Sequence, residues 1–268
     1  MKIIDRKTNQ IIEKESNKAV RFLYNNVIGR MLLKPLTLPV CTKASALYMN
    51  SRFSKILIKE DRKKYRSYNN YFTRYNEQEI DNNKKHFISP CDAKLTVYKL
   101  SENSSFKIKE SIYEVKDLIN KDISDYHDGY VLIFRLETTD YHRYCYIDNG
   151  TKDKNTYIKG IFHTVQPISD KYKIYKRNAR EYTILHTENF DDVIQIEVGA
   201  LMVGKIKNHH QEYTFKKGDE KGYFEYGGST IVLIVKKDII KIDNDILENS
   251  NNDIETVVNY GERIGKRA

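Results

Sequence analysis

A chain of 268 residues with 40% hydrophobic and 31% charged side chains can bury a sizeable core, which excludes a disordered or fibrous polypeptide. Its net charge of +9 is unevenly placed: residues 1–70 hold 16 Lys and Arg against 5 Asp and Glu, while the remainder holds 30 against 32. Cys41, Cys91 and Cys145 are odd in number and form no C-x-x-C pair, which fits a reducing compartment and speaks against a disulfide framework or a structural zinc site.

The opening MKIIDRKTNQ has no apolar core behind it, so no secretory signal is expected. Residues 15–66 are predicted helical. In NKAVRFLYNNVIGRMLL, Val20, Leu23, Val27 and Met31 recur at three- to four-residue spacing with basic residues between them. Pro35 and Pro39 break the pattern, and TKASALYMNSRFSKILIKEDRKKYRSY resumes it. Such basic helices suit an anionic partner, nucleic acid or a membrane surface, or they pack on the parent domain. MLLKPLTLPV is too short and too interrupted to span a bilayer, which takes about 20 apolar residues.

From about residue 86 the texture changes to short β-rich runs between turn signals. The runs are HFISPCDAKLTVYKL, GYVLIFRLE, HRYCYIDNG, TYIKGIFHTVQP, DDVIQIEVGALMVGKI and QEYTFKKGDEKGYFEYGGSTIVLIVKK. The expected class is α+β. A basic helical region over 1–85 leads into a mostly antiparallel β-rich domain over 86–268, arranged as a barrel or sandwich. The tail NSNNDIETVVNYGERIGKRA is expected to end as a short helix or an exposed extension.

Three places concentrate residues that strands do not need. In SPCDAK, Asp92 follows a Ser-Pro turn, where an aspartate commonly bonds its own backbone. In TTDYHRYCYIDNG, Asp140, His142, Arg143 and Cys145 crowd six residues. An extended chain puts His142 and Cys145 on opposite faces, which disfavours a nucleophilic dyad of a cysteine hydrolase. The third place is YFEYGGSTIVLIV. It reads as one strand, yet Gly227 and Gly228 stand in its middle, followed by the hydroxyls of Ser229 and Thr230. A hairpin turn is one explanation. The other is a strained backbone that brings Ser229 Oγ close to the carbonyl of Gly228.

Laid in order, NYFTR (Asn70 to Arg74), SPCDAK, DYHRYCYIDNG, KRNAREY, EVGALMVGKI and KGDEKGYFEYGGST make the chain resemble the phosphatidylserine decarboxylase family over nearly its whole length. The resemblance implies a proenzyme that cuts itself between Gly228 and Ser229, leaving a chain of residues 1–228 and a shorter one that starts at the modified position 229. It further implies that Ser229 becomes a pyruvoyl group, the cofactor, which forms a Schiff base with the substrate amine. Loss of CO2 from phosphatidylserine then leaves phosphatidylethanolamine. No metal is implied. The implied partners are the lipid substrate and an anionic membrane surface rather than nucleic acid. The implied place is peripheral, on the cytoplasmic face of the cell membrane, and a homodimer of cleaved two-chain units is the assembly considered.

The resemblance also implies a relay that activates the serine, made of Asp92, the second histidine of D-Y-H-R-x-H and Ser229, with His142 serving decarboxylation. In this chain the second histidine position is Cys145. A neutral thiol, with a free pKa of about 8.5, is a poor base beside imidazole, and general-base help is worth about 10²–10⁴-fold. His142, reoriented, or Cys145 as thiolate is the expected substitute. Cys91 and Ala93 also stand where the family commonly has small, flexible glycines. The alternative reading is an uncleaved, catalytically silent relative that binds aminophospholipid.

Overall fold

The apolar runs of the second half condense into one long sheet that is covered on both faces. The computed structural model describes residues 2–13, 68–101, 105–108, 111–119, 121, 124–137, 140–160, 178–199, 205–225 and 229–268. The helices expected over 15–66 lie outside the described residues, as do Gly227 and Gly228. The first elements are β1 (Lys2–Asp5), β2 (Gln10–Glu13), α1 (Tyr68–Phe72), β3 (His86–Ile88), β4 (Ala93–Lys99), β5 (Ser105–Ile108), β6 (Ser111–Glu114) and α2 (Val115–Ile119). There follow β7 (Tyr130–Leu136), β8 (Arg143–Cys145), β9 (Gly150–Lys152), β10 (Thr156–Ile158), β11 (Arg180–Thr187), β12 (Asp192–Gly199), β13 (Ile206–Asn208) and β14 (Tyr213–Phe215). The last are β15 (Glu220–Phe224), β16 (Ser229–Val235), β17 (Ile240–Ile242), α3 (Asn244–Asn251), β18 (Glu255–Val258) and β19 (Arg263–Arg267).

The long sheet runs β14-β9-β11-β12-β16-β7-β4-β18-β1-β2, with β10 also paired to β11. Its strand pairs are antiparallel except β1 with β18. Smaller sheets run β13-β15-β8, β17-β19-β3 and β5-β6. The α+β, mainly antiparallel class expected from the residues is the class found. Among the described residues no helix is long and apolar enough to cross a membrane.

VLIFRL, STIVLIV and VIQIEV are near-continuous apolar runs because β7, β16 and β12 are central strands with a core on each side. Phe134, Leu136, Ile231, Leu233 and Val235 face one core, together with Leu95, Tyr144, Cys145 and Phe224. Val131, Ile133, Val232, Ile234, Ile194 and Ile196 face the other, which Leu118 and Ile119 of α2 help to close. Burying each such side chain stabilises the fold by about 1.5–3 kcal/mol relative to leaving it exposed.

Two local expectations give way to the structure, and one strand was not foreseen. YFEYGGSTIVLIV is not one strand: β15 closes at Phe224 in the three-stranded sheet, and β16 opens at Ser229 in the long one. The chain therefore changes sheets between Phe224 and Ser229. The tail is neither a terminal helix nor an extension, because β18 fits between β4 and β1, and β19 between β3 and β17. The strand β11 was not among the expected runs, since Arg180, Glu181 and His186 flank its short stretch of β formers from Tyr182 to Leu185.

Candidate active site

Ser229 is the first residue of β16, and its backbone stands between Leu136 of β7 and Gly199 of β12. Alternation along β16 sends its side chain to the face of Ile231 and Leu233, toward the core that also holds Tyr144 and Cys145 of β8. The side chain is buried, and its Oγ has no hydrogen-bond partner among the described residues. Lys94, Arg135 and Thr230 fall in one row across β4, β7 and β16. Asp92, just before β4, and Ser229 consequently emerge at the same end of the sheet. His142 joins that end through the turn that follows Leu136, where the Asp140 amide donates to the Glu137 carbonyl at 2.9 Å.

The His142 ring is buried, with its centroid 3.7 Å from that of Phe72 at the end of α1. Its Nδ1 bonds to the Asp140 carbonyl at 2.8 Å. A carbonyl only accepts, so Nδ1 carries the proton and Nε2 presents a lone pair. Nε2 is buried and has no partner among the described residues. Burial pushes the imidazole down to about 3, with the Arg74 and Lys94 charges adding to the effect. The ring is neutral at ordinary pH. Asp140 accepts both of its Lys94 bonds at 2.7 and 2.8 Å and the Glu137 amide at 2.7 Å, which fixes the carbonyl that orients His142.

Asp92 accepts the Tyr260 amide at 2.8 Å. Burial raises its carboxyl above the ordinary value, against the pull of the Tyr260 and Tyr141 amides. Cys145 is buried; its amide donates to the Pro90 carbonyl at 2.9 Å, and its Sγ lies 4.0 Å from the Ser89 carbonyl oxygen. Burial pushes its thiol up to about 12, although the Tyr260 hydroxyl bonds to the sulfur. Cys145 is thus a protonated thiol at neutral pH.

Ser229, His142, Asp92 and Cys145 therefore gather at one end of the sheet, but among the described residues no hydrogen bond yet joins Asp92, His142 and Ser229 to one another. Tyr260 and Lys94 were not foreseen in this site. Lys94 adjoins the SPCDAK stretch and was readable there as the partner of Asp140, whereas Tyr260 lies in a tail with no local mark of chemistry.

A family profile described as phosphatidylserine decarboxylase matches residues 68–266. The chain belongs to the phosphatidylserine decarboxylase family. It is 47% identical over 269 residues to phosphatidylserine decarboxylase proenzyme 2 of Clostridium acetobutylicum, covering 93% of this chain and 92% of that protein. It is 39% identical to a phosphatidylserine decarboxylase proenzyme of Clostridium botulinum strain Kyoto, over 100% and 99% of the two chains. A third phosphatidylserine decarboxylase proenzyme, from Clostridium kluyveri, is 37% identical over 99% and 98%.

Proposed function

We propose that this chain cuts itself between Gly228 and Ser229 and uses the resulting pyruvoyl group to convert phosphatidylserine to phosphatidylethanolamine. One observation carries the reading. A hydroxyl that can donate, Ser229 Oγ, and a nitrogen that can accept, His142 Nε2, are both buried at one end of the sheet and lack partners among the described residues. Leaving such groups unpaired costs about 1–3 kcal/mol each, a feature that marks groups held for chemistry.

His142 Nε2 takes the proton of Ser229 Oγ as the oxygen attacks the Gly228 carbonyl carbon. The bond to the Ser229 nitrogen breaks, that nitrogen receives the proton, and an ester replaces the amide. Loss of the Cα proton of residue 229 expels Gly228 as a carboxylate and leaves dehydroalanine. Its enamine tautomerises, water releases ammonia, and the new chain begins with a pyruvoyl group. Ser229 suits that origin, because it opens a central strand held by β7 on one side and β12 on the other. When formed, the group supplies a ketone that takes up the substrate amine and an electron sink for the loss of CO2.

Asp140 and Lys94 keep His142 in the required tautomer, and Phe72 keeps water off the ring. The excess of basic residues in 1–70 supports docking at an anionic leaflet, on its cytoplasmic side, where the substrate resides.

Intact mass under denaturing conditions tests the reading. Two chains are expected, the shorter one opening with a carbonyl-bearing residue in place of Ser229, and Ser229→Ala is expected to lose both cleavage and decarboxylation. The second reading, an uncleaved relative that binds aminophospholipid, has Cys145 in its favour. A single chain of 31.6 kDa that stays whole with membranes present would overturn self-cleavage and favour this reading instead.

A further inference from the structure

Between the long sheet and the sheet of β13, β15 and β8 lies a buried ionic network that the chemistry above does not use. Lys221 Nζ of β15 donates to Glu197 Oε1 of β12 and to Asn208 Oδ1 of β13, both at 2.7 Å. Gln195 Nε2 donates to the same Glu197 oxygen at 3.0 Å. Asn208 Nδ2 reaches Glu197 Oε2 at 3.3 Å and Glu181 Oε1 at 3.0 Å, while the Tyr144 hydroxyl of β8 donates to Asn208 Oδ1 at 3.2 Å. Neither Lys221 nor Glu197 exposes any side-chain surface. An apolar pair of similar volume is often as stable as a buried ion pair, so stability alone does not account for these charges.

Their position does. Glu197 stands opposite Ile231, and Gly199, two residues on, stands opposite Ser229. Glu197 and Ser229 therefore project from the same face of the long sheet, one pleat apart. Lys221, Asn208 and Tyr144 come one from each strand of the small sheet. That sheet carries the base: β8 begins directly after His142, and the Phe224 amide at the end of β15 donates to the His142 carbonyl at 3.0 Å. Gly222 lets the strands close up here, because a methyl group on it would strike the Lys207 carbonyl and the Tyr144 hydroxyl.

We propose that Lys221, Glu197 and Asn208 are positioning residues for self-cleavage: their network fixes how the sheet bearing His142 sits over the sheet bearing Ser229. Charge-assisted hydrogen bonds are directional and resist slip, whereas apolar contact between two sheets is not directional. A misplacement of reacting groups by about 1 Å can cost about 10²-fold in rate. The proposal rests on the self-cleavage reading given above.

The test follows the cleavage of full-length chains by intact mass over time, beside the thermal midpoint of each. Lys221→Met/Glu197→Leu removes both charges without stranding either one. It is expected to stay folded and to cleave at least about tenfold more slowly than wild type. Asn208→Ala spares the ion pair and serves if the double variant does not fold; its expected slowing is about threefold to tenfold. Exchange of the charges, Lys221→Glu/Glu197→Lys, is expected to recover part of the lost rate. A folded double variant or Asn208→Ala chain that cleaves at the wild-type rate overturns the proposal. A wild-type chain that never cleaves overturns the self-cleavage reading itself, and so the two failures are told apart.

Discussion

The ring of Phe72 covers the imidazole of His142, with centroids 3.7 Å apart and planes inclined by 32°. Phe72 belongs to α1, in the NYFTR stretch, and His142 to the segment that leads into β8. The contact keeps the imidazole dry, and dryness is the main reason it stays neutral down to about 3. With His142 as the proposed base, already deprotonated in this range, the rate of self-cleavage should stay level from about pH 8 down to about pH 5. Phe72→Ala admits water, so its rate should fall below about pH 6.5, the ordinary value for histidine. Cleavage time courses at several pH values check this. A wild-type profile that already turns down near 6.5 would mean that the ring meets solvent when it reacts.

The same imidazole ties folding stability to pH. It titrates near 3 in the folded chain and near 6.5 when exposed, so between those values the unfolded chain binds the additional proton. The contribution is complete above about 6.5 and is lost as pH falls toward 3, by up to roughly 5 kcal/mol. Urea midpoints of the Ser229→Ala chain, which is expected to stay whole, should therefore drop between about pH 7 and pH 4. With His142→Gln added, the drop should be shallower, and identical slopes in the two backgrounds would refute the assignment.

Much of the site was legible because its residues stand in short ordered stretches, and the run after Ser229 is apolar enough to mark a buried strand. The partners were not legible. Asp92 receives the amide of Tyr260, 168 positions away, and Tyr260 sits in a tail whose polar pattern gives no sign of β18 and β19 around it. Periodicity reports which face of an element is buried, but not which distant element buries it. For that reason Lys221 and Glu197 read as ordinary strand charges. The change of sheet between Phe224 and Ser229 was hidden for the same reason, since YFEY and STIVLIV each have strand character and only tertiary pairing separates β15 from β16.

Cys145 occupies the place where the resemblance put a relay histidine, yet its thiol is held protonated near 12 and is bonded by Tyr260. A group in that state does not take a proton from Ser229 at neutral pH. Cys145→Ser should accordingly cleave within about threefold of wild type, whereas His142→Gln should lose about 10²–10⁴-fold. Side-by-side intact-mass time courses decide between the two positions. A hundredfold loss in Cys145→Ser with a functional His142→Gln would reverse the roles given to them here.

Cleavage before Ser229 would give the shorter chain a central place in the fold. Its β16 lies between β7 and β12, its β18 between β4 and β1, and its β19 pairs with β3, all of them strands of the longer chain. Arg6 of the longer chain adds ion pairs to Asp243 and Asp245 at 3.0 and 2.6 Å. Withdrawing β16 would expose Ile231, Val232, Leu233 and Ile234 together, each worth about 1.5–3 kcal/mol of burial, so separation amounts to unfolding. The two chains should co-elute as one particle in native size-exclusion chromatography and part only in denaturant, at the same concentration at which the strand signal is lost. Release of the shorter chain below that concentration would show that β16 is not the core strand described.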